Sequence, residues 1–105
     1  MSDDYQIEIP QSFLLLYTDT RRQRLSTPWP EVAQRYELCE DLANLLTTTA
    51  KDMEFSLGLA ESDVLSRVRQ GLHGEAAVVT PPEAQWVVCR LAELLGWALP
   101  SVTDV

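Results

Sequence analysis

The chain has 105 residues, enough for one domain with a substantial core. Its hydrophobic fraction of 46% is that of a globular protein and excludes wholesale disorder. Sixteen acidic side chains against eight basic ones leave a formal charge of −8, which sets the surface against nucleic acid and anionic membranes.

Residues 1–9 read as an irregular arm in which Ile7 and Ile9 alternate with polar neighbours, a spacing that suits a brief strand. The opening "MSDDYQIEIPQ" is acidic and lacks the basic and apolar regions of a signal peptide. No apolar run approaches the ~18 residues of a membrane span. Cys39 and Cys89 form no CxxC pair and no disulfide framework, so the expected setting is cytoplasmic, with reduced thiols.

"PQSFLLLY" predicts a short helix, with Pro10 tolerated in its first turn. "TDTRRQRLSTPWP" has no period and many turn formers, and predicts a loop over about 18–27. Arg21, Arg22 and Arg24 crowd into it. They suit a docking point for something acidic, while the blander reading is a linker whose arginines screen nearby acidic faces. The absence of interleaved aromatics favours the linker.

The strongest periodic signal follows. Thr27 suits an N-cap, Pro28 and Pro30 suit a first turn, and Glu31 suits the positive end of the helix dipole. Val32, Tyr36, Cys39, Ala43, Leu46, Ala50, Met53 and Leu57 then step by four and three along one face. A helix over about 28–56 would be about 43 Å long. Leu38, Leu42 and Leu45 form a second apolar strip beside the first, wider than one neighbour needs. Glu37, Glu40 and Asp41 step across the polar side and read as a solvated acidic face rather than an acid–base pair.

Gly58 punctuates the end of that helix. "LAESDVLSRVRQGL" predicts a short helix with Val64, Leu65, Val68 and Leu72 on one side, closed by Gly71 or Gly74. "TPPE" is a capping box, Thr80 with Glu83, and starts a last helix over about 81–97. Pro100 is its expected stop, and residues 99–105 form a tail. Trp86 lies off the Val87, Val88 and Leu91 stripe, which marks it as an exposed aromatic of the kind that docks on partners. The elements add up to one domain over 1–105: an all-α, small helical bundle with one long central helix and three shorter ones.

The sharper chemistries find little support. Cys39, Cys89 and His73 lack the paired spacing of a zinc site, so no metal is expected. The four glycines and Lys51 form no Walker motif, and no cofactor is expected. "SLGLAESDVLSRV" imitates the second half of a helix-turn-helix over residues 57–70, with Ser62, Ser66, Arg67, Arg69 and Gln70 available to DNA. Against it, Glu54 stands where a small residue is wanted, and Glu61 and Asp63 would meet phosphates.

"IPQSFLLLY", "RYELCEDLANLL", "LGLAESDVLSRV" and "EAQWVVCRLAELLGW" together resemble a family of small uncharacterised bacterial proteins sometimes labelled "ATPase with chaperone activity". The resemblance spans Ile9 to Trp97. It implies a chaperone-associated role and brings no catalytic or binding residue onto this chain. The expectation is a non-enzymatic protein-interaction or adaptor module, with a protein partner or a second copy meeting Leu38, Leu42, Leu45, Trp86 or the arginines. The rival is a DNA-binding regulator using residues 57–70.

Overall fold

The computed structural model describes residues 8–74 and 76–100. Most of the expected arm, and the tail beyond Pro100, lie outside the described residues. The chain is all-α: α1 (Gln11–Leu14), α2 (Trp29–Leu57), α3 (Glu61–Gly71) and α4 (Pro81–Leu95). Set beside the single domain expected over 1–105, the chain divides into two compact units, Met1–Leu38 and Cys39–Val105. The boundary falls inside α2, so one helix belongs to both.

In the first unit, the Pro10 carbonyl accepts the N–H groups of Phe13 and Leu14 and starts α1. A single 3₁₀ turn, Leu15–Tyr17, follows. Phe13 is fully buried, its ring 5.7 Å from Tyr17 and 5.5 Å from Tyr36, the second contact edge-on. Such ring pairs add about 0.5–1.5 kcal/mol to the area they bury.

The arginine tract departs from the expected loop. Strands β1 (Thr18–Asp19) and β2 (Arg24–Leu25) pair antiparallel, Thr18 opposite Leu25 and Asp19 opposite Arg24. Asp19 makes the turn: its Oδ1 accepts the N–H groups of Arg21 and Arg22, and its carbonyl accepts that of Gln23 at 2.6 Å. Gln23 takes a left-handed φ of 57°. Beyond β2, Ser26 donates both its N–H and its hydroxyl to the Tyr17 carbonyl. Composition marks turn formers, but a two-residue ladder closed by one aspartate leaves no period to read.

Helix α2 starts where Pro28 offers its carbonyl to the N–H groups of Glu31 and Val32. Val32, Cys39, Ala43 and Ala50 of the expected stripe are buried, and Tyr36, Leu46 and Met53 are half-buried. Leu57, the last step, is 60% exposed, because the stripe outlasts the packing beneath it. Gly58, at φ 65°, turns the chain out of α2.

In the second unit, Ala50 of α2 packs with Val64, Leu65 and Val68 of α3 and with Val88, Leu91 and Ala92 of α4. The capping box forms as expected: Thr80 Oγ1 accepts the Glu83 N–H, and Glu83 Oε1 accepts the Thr80 N–H at 2.9 Å. The other end differs. Gly96, at φ 73°, ends α4 four residues before Pro100. Its N–H reaches the Glu93 carbonyl and the Trp97 N–H reaches that of Ala92, a Schellman closure that folds Trp97 back onto the core.

Candidate functional site

Helix α3 places Ser62, Leu65, Ser66 and Arg69 on one side by their spacing of three and four residues. Leu65 is 2% exposed and packs into the core, whereas both serines stay exposed. Opposite them lies Val88 of α4. The Schellman closure then carries Ala98, Leu99 and Pro100 alongside, and these three form the far wall of a groove of about 550 Å³. Ala60 and Glu61 complete the lining. Leu99 stands at the rim with 60% of its surface exposed. An apolar floor with a few polar groups around it is the usual make-up of a ligand or peptide site.

Among the described residues that line this groove, Arg69 is the one cation. Its guanidinium is half-buried and donates from Nη1 to Gln85 Oε1 at 3.1 Å. Gln85 in turn donates from Nε2 to Cys89 Sγ at 3.6 Å. Burial pushes the Cys89 thiol above its ordinary value, ahead of the lowering effects of Gln85 and Arg69. A raised thiol is a poor nucleophile, so the Arg69–Gln85–Cys89 chain positions groups rather than activating sulfur.

The second unit also holds a firm ionic tie. Arg90 Nε meets Glu40 Oε1 and Arg90 Nη2 meets Glu40 Oε2, each at 2.9 Å, and Arg90 Nη1 reaches Glu93 at 3.2 Å. The hydrogen bond from Arg90 holds the Glu40 carboxyl below its ordinary value, against the opposing effect of burial. Glu40 is therefore no part of a solvated acidic face. Its partner lies 50 residues away on α4, a pairing that no local spacing displays.

The expected partner residues divide between the two units, Arg21, Arg22, Arg24 and Leu38 in the first and Leu42, Leu45 and Trp86 in the second. Arg21 and Arg22 sit in the hairpin turn and Arg24 in β2, all exposed, with Arg22 Nε 3.8 Å from Asp19. Leu38 and Leu42 are half-buried, and Leu45 is 70% exposed. Trp86 is a correction: it is only 8% exposed. Helix α4 buries Glu83, Ala84, Trp86, Val87, Val88, Leu91 and Ala92, a face wider than the stripe implied, and Trp86 falls within it. Ser62, Ser66 and Arg69 line the groove with α4, while Arg67 and Gln70, again with Ser66, line a second concavity beside Asp63. The α3 residues read from the sequence as one DNA-facing set thus line two concavities, and Leu99 and Pro100 carry no sequence signal.

Cys39 is buried, Cys89 half-buried and His73 exposed, and no three His, Cys, Asp or Glu side chains gather as a metal site among the described residues. Among those residues no helix is long and apolar enough to cross a membrane. Compared with protein-family models, with curated proteins and with solved structures, the chain matches none.

Proposed function

We propose that the chain is a protein-binding module of the adaptor kind, receiving a short apolar segment of a partner in the groove between α3 and α4. The observation that supports this is the pairing of a buried apolar floor, Leu65 and Val88, with an exposed apolar rim at Leu99. A segment laid across them removes apolar surface at about 25 cal/mol per Å². Glu61, Ser62 and Ser66 supply a polar margin that stays wetted, as the rims of protein interfaces do.

The test compares the immobilised full chain with its Ser66→Trp variant, in which an indole fills the groove from an exposed position. A defined set of proteins from native lysate, retained by the wild type and lost from the folded variant, is the expected result. Equal retention by both, or none by the wild type, contradicts the proposal. Retention that instead disappears on changing Arg21, Arg22 and Arg24 to Ala would move the binding surface to the hairpin.

A further inference from the structure

The groove carries a chemical preference as well as a shape. We infer that it takes the free C-terminus of an extended apolar peptide and seats the terminal carboxylate on Arg69, an assignment that rests on the protein-binding reading above.

Three observations point there. The first is the state of Arg69. Residues 39–105 hold four basic and ten acidic side chains, so carboxylates are plentiful around it. Arg90, on the neighbouring helix, engages two of them. The guanidinium of Arg69, a half-buried residue at the groove, is hydrogen-bonded among the described residues only to the neutral carboxamide of Gln85. A guanidinium has five donors in a planar fork suited to a carboxylate, and the Gln85 bond uses one of them at Nη1. Gln85 thus steadies the fork without neutralising it.

The second is length. From Ser62 to Arg69 the strip on α3 rises about 10 Å, which matches about three residues of extended chain. A chain end needs only its last few residues seated.

The third is the surrounding charge. An acidic unit repels a partner segment rich in Asp or Glu but admits a single carboxylate that ends on a cation. Leu65, Val88 and Leu99 then meet the apolar side chains that precede it, and Ser66, three residues before Arg69 on the same helix, brings a hydroxyl to the groove lining.

The experiment uses a degenerate hexapeptide pool, prepared both as free acids and as C-terminal amides, passed over the immobilised full chain at moderate salt and read by mass spectrometry. The expected result is that free acids ending in apolar residues are retained roughly tenfold better than their amides, the size of a charge-assisted hydrogen bond. Arg69→Gln erases that difference and Arg69→Lys restores part of it. Gln85→Glu leaves Arg69 in place but supplies an internal carboxylate, and it brings the acids down to the amides even if Arg69→Gln fails to fold. Equal retention of acids and amides by the wild type overturns the carboxylate assignment and leaves peptide binding standing. Retention of neither form overturns both.

Discussion

Glu40 and Arg90 are joined by two parallel hydrogen bonds of 2.9 Å, tying the middle of α2 to α4 within the second unit. Both side chains are partly shielded, at 22% and 32% exposure, so the pair is worth more than an open surface ion pair. Arg90→Ala removes the fork and also the Glu93 contact. It is expected to lower unfolding free energy by about 1–2 kcal/mol in urea titration at pH 7. A loss below a few tenths would show the fork to be idle.

The same pair sets a pH dependence. The Glu40 carboxyl is lowered from 4.5 in the folded chain, chiefly by the Arg90 hydrogen bond. A lowered carboxyl contributes stability that is complete above its unfolded value and is lost as pH falls through that value toward the folded one. The urea midpoint of the wild type is therefore expected to drop below about pH 5, and Glu40→Gln to show a shallower fall over the same window. Parallel profiles for the two proteins would contradict the assignment.

Trp86 and Leu45 share one expectation from the sequence, a surface that meets a partner, and the structure separates them: Trp86 is buried and Leu45 exposed. Trp86→Ala empties the space of a buried indole and is expected to cost about 3 kcal/mol or more. Leu45→Ala, at a 70% exposed site, is expected to stay within about 0.5 kcal/mol of the wild type. Chemical denaturation of the two variants decides between them, and comparable losses would mean that Leu45 is covered.

These two residues also show where sequence reading stops. The α2 stripe was legible because one helix face repeats its apolar residues at the helical period, and a core follows that repeat. The capping box was legible because it is local chemistry between residues three apart. Trp86 was not, because the buried face of α4 is wider than its main apolar stripe. The Glu40–Arg90 fork and the groove wall at Ala98–Pro100 were not, because both depend on which elements meet. Gly96 was overlooked beside Pro100, although a glycine after an apolar helix is the stronger stop.

Gly96 and Gly71 give opposite expectations from the same substitution. At both sites an added Cβ meets nothing within 4 Å, so only backbone conformation matters. Gly96 sits at φ 73°, where a Cβ is strained, and Gly96→Ala is expected to cost about 1 kcal/mol. Gly71 is the last residue of α3 and has no positive φ, so Gly71→Ala is expected to stabilise by up to about 0.5–1 kcal/mol. Thermal melts that move in the same direction for both would contradict this account of the α4 terminus.

The groove between α3 and α4 is the surface we propose to meet a partner. Its most direct test is site-specific photo-crosslinking in native cells, with a benzophenone side chain placed in turn at Ser66, Leu99, Leu45 and Arg22. The account predicts discrete protein adducts from Ser66 and Leu99 and none from Leu45 or Arg22. Adducts from Leu45 or Arg22, with Ser66 and Leu99 silent, would contradict it.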